Sequence, residues 1–260
     1  MLDRIIVLVL TYNEEHNIAR TLDGVSWAKR IVVVDSGSTD ATAEIVAGYT
    51  QAEWIVHPFD NHEAQWNFGL AQCGGSAEWI LALDADYVVG RDLKDEIASL
   101  EPSSEIDGYR VSFRYCVFGR ALRGSLYPPV TVLFRHRGAR YEQVGHTQRL
   151  VLGGKVDGLQ SPIDHDDRKP LARWLVSQQK YARLEADHLL SAPLAELRRN
   201  DRIRRLGWPA PLLVFFYTLI VKRCFLDGWF GWFYVLQRTL AETMIALEIV
   251  YRKLRQERSA

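Results

Sequence analysis

Four short apolar runs in the first hundred residues constrain the fold of this chain most strongly. They are rich in β-branched residues and read RIIVLVL at 4–10, RIVVVD at 30–35, EWIVH at 53–57 and EWILAL at 78–83. Continuous apolar runs of this length are typical of strands buried on both faces. Helices are expected between them over residues 14–23, 40–49 and 61–73. This alternation predicts an α/β fold with a mostly parallel, Rossmann-like sheet.

The rest of the chain follows two other patterns. Residues 107–160 alternate apolar and polar positions with Gly and Pro between the runs, which predicts an antiparallel insertion. From Pro170 onward the spacing of apolar residues is helical. We therefore expect a catalytic domain over 1–167 and a helical, basic and aromatic region over 168–260.

The charge distribution suggests different tasks for the two regions. The net charge of the chain is +0, but residues 1–100 hold 6 Lys and Arg against 16 Asp and Glu, and residues 168–260 hold 17 against 8. An acidic front can hold cations, and a basic back suits an anionic surface. Nothing here indicates a nucleic acid partner.

The apolar segment WPAPLLVFFYTLIV at 208–221 bears on location. Pro209 and Pro211 interrupt it, and it is shorter than the roughly 20 apolar residues of a membrane span. With its Trp and Tyr neighbours and the basic residues before it, the segment predicts peripheral attachment to a membrane surface. A buried protein interface is the alternative reading.

Two further features favour a cytoplasmic location, at the inner face of the cytoplasmic membrane. The three cysteines are far apart and form neither a disulfide framework nor a metal clip, which suits a reducing compartment. The first apolar run is too short for the core of a secretory signal with its cleavage site.

Polar residues follow three of the predicted strands. Asp84-Ala85-Asp86 comes after the fourth, TYNEE at 11–15 after the first and DSGSTD at 35–40 after the second. Ligands of open α/β sheets bind beyond the carboxyl ends of strands, and paired carboxylates there can hold Mg²⁺. A solvated turn at Asp84 and helix capping by Ser38 and Asp40 are the structural alternatives.

The three motifs TYNEE, VVDSGSTDAT and WILALDAD, in this order and spacing, resemble the family 2 glycosyltransferases with a GT-A fold. The resemblance covers roughly residues 4–165. It implies a nucleotide-diphosphate sugar donor, with UDP favoured, a divalent metal, Mg²⁺ or Mn²⁺, and transfer with inversion. HDDRKPLARWLVSQQKYARLEA and FLDGWFGWFYVLQRTLAE further resemble bacterial members that glycosylate the lipopolysaccharide core or other envelope glycans.

The resemblance also implies roles for single residues at the predicted sheet edge. Metal binding falls to Asp86, with Asp84 near the ribose and metal. The predicted nucleotide-binding residues are Thr11, Tyr12, Glu14, Asp35, Gln65, Asn67 and Asp84. Trp66 stands where the subgroup has a basic residue, so a phosphate contact is either lost or supplied elsewhere, for instance by Arg114, Arg120 or Arg123. The alternative for these arginines is a solvated charge on a strand or loop.

The general base is less well defined by the resemblance, because Thr147 stands where the subgroup has Glu. Inversion requires a carboxylate that accepts the proton of the acceptor hydroxyl. The candidates are Glu142, Asp166 and Asp167, with Asp164 ranked below them. His146 or His165 could complete the metal site, and a structural hydrogen-bonding role is the alternative for each.

Together these features predict a metal-dependent inverting glycosyltransferase that acts on a lipid-linked or lipopolysaccharide acceptor at a membrane. One alternative is a nucleotidyltransferase that makes nucleotide sugars, although the loop TYNEEHN lacks the Gly-rich, basic character expected for it. The other alternative is a catalytically silent membrane scaffold of the same fold.

Overall fold

The computed structural model describes residues 1–74, 77–144 and 147–257, without the side chains of Val144 and Thr147. The chain divides into two units. The first comprises Met1–Ala121 with Tyr127–Arg168, and the second comprises Leu122–Leu126 with Lys169–Ala260.

The first unit contains most of the strands that the sequence predicts. Its strands are β1 (Ile5–Thr11), β2 (Ile31–Asp35), β3 (Ala52–Val56), β4 (Trp79–Asp84), β5 (Tyr87–Val89), β6 (Ile106–Val111), β7 (Phe113–Val117), β8 (Arg120–Ala121), β9 (Val130–Arg135), β10 (Arg140–Val144), β11 (Thr147–Val151), β12 (Lys155–Gly158) and β13 (Ile163–His165). Its helices are α1 (Ile18–Gly24), α2 (Thr42–Ala47), α3 (His62–Cys73) and α4 (Arg91–Ala98).

The main sheet has the order β12-β6-β9-β4-β1-β2-β3 within the described residues. Strands β1 to β4 are parallel to one another, and β12 is parallel to β6, whereas β9 is antiparallel to both of its neighbours. The predicted α/β class with a mostly parallel sheet is confirmed.

The antiparallel insertion forms two smaller assemblies. Strands β5, β13, β7 and β8 make a small sheet in that order, and β10 pairs with β11 as a hairpin. In the small sheet β13 is antiparallel to β5 and parallel to β7, with His165 opposite Tyr87. This pairing brings residues 165–167, here called the HDD segment, next to the strand that follows Asp86, although the two are far apart in sequence.

Two apolar layers cover the main sheet. On one face α1 and α4 bury Leu22 and Ile97 against the sheet, and on the other α3 buries Leu70 and Cys73. Helix α3 lies close to β1 at Gly69, because a Cβ there would come within 2.7 Å of a Leu8 methyl carbon.

The first helix begins later than its pattern predicts. The helix was expected from residue 14, but α1 starts at Ile18. Asn13 has a positive φ of 54°, and the Glu14 amide donates to the Thr42 hydroxyl at 2.7 Å. These contacts keep residues 13–17 in a loop over the sheet edge.

The second unit is helical, as predicted for the C-terminal region. Its α-helices are α5 (Leu171–Ser191), α6 (Arg199–Leu206), α7 (Pro209–Phe216) and α8 (Gly228–Glu257). Pro209 and Pro211 lie in the first turn of α7, where a helix has no use for their missing N–H groups. A π-helical turn, Tyr217–Val221, continues α7.

A buried ion pair network connects three helices of this unit. Arg204 of α6 pairs with Glu242 of α8 and, at 3.1 Å, with Glu185 of α5. Burial lowers the pKa of Arg204, but the carboxylates of Glu242 and Glu185 raise it more, so the guanidinium stays charged. An unpaired charge at this depth would be costly, so the network holds the helices in one arrangement.

Exposed apolar side chains cluster in α7 and at the start of α8. Trp208 and Trp229 are 73% and 86% exposed, and Leu212, Phe216 and Val221 are also exposed. No helix in the described part of the chain is long and apolar enough to cross a membrane unaided. The bent pair Pro209–Val221 and Cys224–Glu257, with 65° between its two helices, meets those criteria of length and composition jointly.

Candidate active site

Three polar strand ends meet at one edge of the main sheet. In the strand pairing Thr11 lies opposite Asp35, and Leu10 lies opposite Asp84. Because β1, β2 and β4 are parallel, the loops that follow them leave the sheet at this same edge. Ligand sites of open α/β sheets form at such an edge.

The carboxylate of Asp35 shapes the loop after β2. The side chain is 1% exposed and accepts the amides of Gly37 at 2.8 Å and Ser38 at 2.7 Å, as well as the Ser38 hydroxyl. Gly37 has a φ of +91°, which a residue with a Cβ adopts only with strain. Asp35 therefore holds a tight polar turn at the sheet edge.

The loops after β1 and β2 are fastened to each other. The Asn13 amide donates to the Ser38 hydroxyl at 2.6 Å, and the Thr39 amide donates to the Asn13 side chain at 2.7 Å. The carboxylate of Asp40 accepts the Glu15 amide at 3.3 Å as well as the Thr42 amide that starts α2. Ser38 and Asp40 thus join two loops in addition to any capping role.

The TYNEE segment presents different side chains to this edge. The Thr11 hydroxyl is buried and has no hydrogen-bond partner among the described residues. A buried hydroxyl in that state costs free energy that a bound ligand can recover. Tyr12 is half exposed, whereas the buried Glu14 accepts the Asn17 amide at 2.8 Å.

Gln65 and Asn67 of α3 are both hydrogen-bonded within the protein. The amide nitrogen of Gln65 donates to the Ser36 hydroxyl at 3.1 Å, and its oxygen contacts the His57 ring at 2.8 Å. Asn67 donates to the Tyr141 carbonyl at 2.9 Å and accepts the Tyr141 amide at 2.8 Å. Gln65 thus braces the loop after β2, and Asn67 fastens α3 to β10.

Asp86 lies beside His165. The distance between the Asp86 carboxylate and His165 Nε2 is 3.1 Å, and Nδ1 of His165 is buried without a partner in the described chain. The rings of Tyr87, Tyr115 and Tyr127 surround the imidazole, with ring centroids 4.5–5.4 Å away. Burial lowers the pKa of His165, but the Asp86 and Asp84 carboxylates raise it more, so its net shift is upward.

These side chains are suitable donors for a divalent cation. Among residues 1–74, 77–144 and 147–257, no three His, Cys, Asp or Glu side chains already converge as a complete metal cluster. Mg²⁺ typically takes only one or two carboxylates from a protein and the rest from phosphates and water. Asp84 and Asp86 supply the two carboxylates that such a partial site needs, and His165 lies beside Asp86. His146, the other predicted ligand, lies outside the described residues.

A cavity of about 590 Å³ opens beside Asp84, between the sheet and the β10–β11 hairpin. Its lining includes Trp66, Asp84, Tyr87, Arg110, Tyr127 and Tyr141. The rings of Trp66 and Tyr141 are stacked at 5.3 Å and form an aromatic wall. Such walls, together with a few polar groups, are typical of small-molecule sites.

The Asp166 carboxylate connects three separate segments of the first unit through hydrogen bonds. It is 4% exposed and accepts from Arg20, from the Arg168 Nε at 2.9 Å and from the Gly119 amide at 2.9 Å. A carboxylate already engaged by two guanidinium groups and an amide is poorly placed to take a further proton.

The other two candidate bases differ in orientation. Asp167 is partly exposed, accepts the Asn17 amide at 3.0 Å and is close enough to His165 to raise its pKa. Glu142 is exposed and paired with Arg140 at 2.7 Å. Side chains alternate along a strand, and Tyr141 faces the cavity, so Glu142 faces away from it.

The arginines predicted to contact phosphate have other surroundings. Arg114 forms a two-point ion pair with Asp164 at 2.6 and 2.9 Å. Arg120 is exposed on β8, and Arg123 belongs to the second unit, where it pairs with Asp227 at 3.4 Å.

The strands and loops of this site belong to a known protein family. Residues 6–119 match the model of the glycosyl transferase family 2. This segment is a family 2 glycosyltransferase domain. As the three motifs predict, the chain is a glycosyltransferase, and Thr11, Asp35, Asp84 and Asp86 all lie within the matched residues. His165 lies beyond them.

Curated relatives of this glycosyltransferase are bacterial. The lipopolysaccharide core biosynthesis glycosyltransferase LpsC of Rhizobium meliloti (strain 1021) is 27% identical over 238 residues, which is 85% of this chain and 83% of LpsC. An uncharacterized glycosyltransferase of Rickettsia felis is 35% identical over 109 residues, which is 42% of this chain and 38% of that protein.

Solved structures with a partly similar chain course include two named proteins. S. aureus TarS 1-349 in complex with UDP-GlcNAc is 17% identical, with a TM-score of 0.48 over 98% of this chain and 92% of that one. Glucosyl-3-phosphoglycerate synthase from Mycobacterium tuberculosis is 20% identical, with a TM-score of 0.36 over 43% of this chain and 44% of that one.

Several side chains around the glycosyltransferase site were not predicted from sequence. Arg20 and Asn17, which hold the HDD segment, had a detectable signal, because they lie at i and i+3 on one face of the helix predicted over residues 14–23. Tyr127 had no signal, since it follows an irregular loop and reaches His165 only in three dimensions. Arg110 looked like any polar position of an alternating strand.

Proposed function

We propose that this glycosyltransferase transfers a sugar, with inversion, from a nucleotide-diphosphate sugar to a lipid-linked or lipopolysaccharide acceptor. UDP is the favoured nucleotide. The observation that carries the proposal is the convergence of the loops after Thr11, Asp35 and Asp84 at one sheet edge, with Asp86 and His165 beside them. The envelope acceptor is supported by LpsC, whose name places that relative in lipopolysaccharide core biosynthesis.

The residues divide into nucleotide and metal groups under this proposal. Thr11, Tyr12 and the turn held by Asp35 surround the nucleoside, with Glu14 and Gln65 supporting the loops from behind. Asp84 and Asp86, with His165 beside them, would hold Mg²⁺ or Mn²⁺. The bound cation would neutralise the diphosphate and so stabilise it as a leaving group.

Asp167 is our preferred general base. It is more accessible than Asp166, whose carboxylate is occupied by Arg20, Arg168 and Gly119. Glu142 is less suitable because it is exposed and already paired with Arg140 at 2.7 Å. Asp167 would take the proton of the acceptor hydroxyl as that oxygen attacks the anomeric carbon.

The second unit is proposed to attach the enzyme to the inner face of the cytoplasmic membrane. Exposed Trp208 and Trp229 offer rings of the kind that favour the membrane interface. Basic side chains of α6, including Arg199 and Arg202, would attract anionic headgroups. Residues 1–167 would then carry catalysis and residues 168–260 the attachment.

Hydrolysis of nucleotide sugars in the absence of acceptor tests the enzymatic proposal. Purified wild-type protein is mixed with UDP-glucose, UDP-galactose or UDP-N-acetylglucosamine and Mn²⁺, and release of UDP is followed. We expect slow hydrolysis of at least one donor that stops on chelation. Asp86→Ala should lower the rate at least about a hundredfold, because it removes a metal ligand.

Asp95→Ala on α4 serves as the control, because Asp95 is an exposed carboxylate whose only ion pair within the described residues is with the exposed Arg91 in the same helix. Its hydrolysis rate should equal that of the wild type. Wild-type turnover by Asp86→Ala with the metal chelated would overturn the proposal. Release of pyrophosphate from a nucleoside triphosphate and a sugar phosphate would instead favour the nucleotidyltransferase.

A further inference from the structure

The cavity beside Asp84 is lined by an arginine that has no role in the proposed binding of the donor. Arg110 of β6 lines it, and its side chain forms no ion pair or hydrogen bond with the rest of the described chain. Other arginines of this unit are engaged, such as Arg135 with Glu78 and Arg114 with Asp164. A guanidinium without a carboxylate partner in a ligand-sized cavity is a ready site for an anion.

The two charged ends of the cavity are separated. Asp84 ends β4, whereas Arg110 lies on β6, and β9 runs between these strands. Two strand spacings therefore separate them, about 10 Å. A cation and diphosphate at Asp84 thus leave room for a second, differently charged group at Arg110.

The surroundings of Arg110 favour a sugar that bears the anion. Thr131 lies opposite Arg110 across the β6–β9 pair and also lines the cavity. Trp66 and Tyr141, which are stacked on each other and largely buried, form an apolar part of the cavity lining. Burial, and then the charge of Asp84, raises the pKa of Tyr141, so its phenol stays neutral and adds no negative charge.

We propose that Arg110 recognises a phosphate or carboxylate group on the acceptor sugar. The cavity beside Asp84 is thus the acceptor site, and its ligand is an anionic saccharide. Assignment of this site to the acceptor rests on the proposed function, whereas binding of an anion rests on the geometry of Arg110. A planar guanidinium binds a phosphate or a carboxylate through two hydrogen bonds, so the structure specifies an oxyanion without distinguishing the two.

Ligand-observed NMR titration of the full chain with Mg²⁺, first without UDP and then with saturating UDP, tests the site. The probes are glucose 6-phosphate, glucuronate and the neutral methyl glucoside. We expect one or both anions to bind the wild type, and Arg110→Ala to weaken that binding at least about tenfold, as expected for loss of hydrogen bonds to a charged group. Methyl glucoside should bind weakly and equally to both proteins.

Two further variants sharpen the result. Arg110→Lys keeps the charge but not the planar fork, so it should retain part of the affinity. Arg91→Ala on α4 removes an exposed guanidinium that lies outside the cavity and should bind like the wild type. Preference for glucose 6-phosphate would identify a phosphorylated acceptor, and preference for glucuronate an acidic sugar.

The proposal is overturned if no anionic probe binds the wild type, if Arg110→Ala binds as well as the wild type, or if UDP displaces the probe. Displacement would assign Arg110 to the donor. Failure of the proposed function has a different signature, namely wild-type protein that hydrolyses no nucleotide sugar. The two failures are therefore distinguishable on one protein preparation.

Discussion

At the scale of single residues, two neighbouring aspartates in the HDD segment have different surroundings. Asp166 is buried between Arg20 and Arg168, whereas Asp167 is partly exposed and bonded to Asn17. Residue type and spacing do not distinguish them, and their environments do. The structure thereby separates a positioning role for Asp166 from a proposed catalytic role for Asp167.

Neutralising each carboxylate should have opposite effects on activity and stability. Asp167→Asn should lower the turnover of sugar transfer at least about a hundredfold with little change in nucleotide binding, since general-base catalysis is worth that much. Asp166→Asn leaves Arg20 and Arg168 without their buried partner and should lower the free energy of unfolding by about 3 kcal/mol.

Transfer kinetics, nucleotide titration and denaturant unfolding of both variants check this prediction. The matched substitution at the adjacent position is the control for each. Full turnover in Asp167→Asn would exclude Asp167 as the general base. An unchanged unfolding midpoint in Asp166→Asn would show that the hydrogen bonds of Asp166 do not stabilise the fold.

At the scale of secondary-structure elements, the buried strands could be predicted from the sequence, but several boundaries could not. Runs such as RIIVLVL allow little except a strand covered on both faces, and β1 and β2 lie where that pattern puts them. The start of α1 depends on Thr42, which binds the Glu14 amide from another element. No local pattern contains that contact.

The site followed the same division. Asp35, Asp84 and Asp86 could be predicted because parallel strands bring their ends to one edge whatever the loops do. The surroundings of His165 could not, because β13 joins β5 and β7 through a pairing between distant segments. Arg110 was missed because its importance comes from having no ion-pair partner in the described part of the chain, which only the three-dimensional arrangement reveals.

Helix α7 and the start of α8 carry the exposed apolar side chains of the proposed membrane contact. The double variant Trp208→Ser/Trp229→Ser should bind anionic vesicles at least about tenfold more weakly than the wild type, because two rings no longer leave water. Binding should also weaken as salt is added, since headgroup attraction is screened.

Vesicle co-sedimentation with anionic and zwitterionic lipids measures both effects. Phe118→Ser, which removes a ring that is 68% exposed in the first unit, is the control and should bind like the wild type. Equal sedimentation of the double variant and the wild type would contradict membrane docking through these residues and favour a protein interface there.

At the scale of the whole molecule, the chain combines an acidic catalytic unit with a basic helical one. The first hundred residues hold 16 Asp and Glu against 6 Lys and Arg, so they would repel a diphosphate unless a cation intervenes. The proposed function therefore depends on one physical claim. The sheet edge formed by Thr11, Asp35 and Asp84 binds a nucleoside diphosphate only together with a divalent metal.

Isothermal titration of the full chain with UDP, in the presence of Mn²⁺ and then with the metal chelated, tests that claim most directly. We predict binding of UDP with Mn²⁺, and at least about tenfold weaker binding after chelation or in Asp86→Ala, because the carboxylates then face the diphosphate without a cation. Equal affinity of UDP with and without metal, or no binding of UDP in either condition, would contradict the claim.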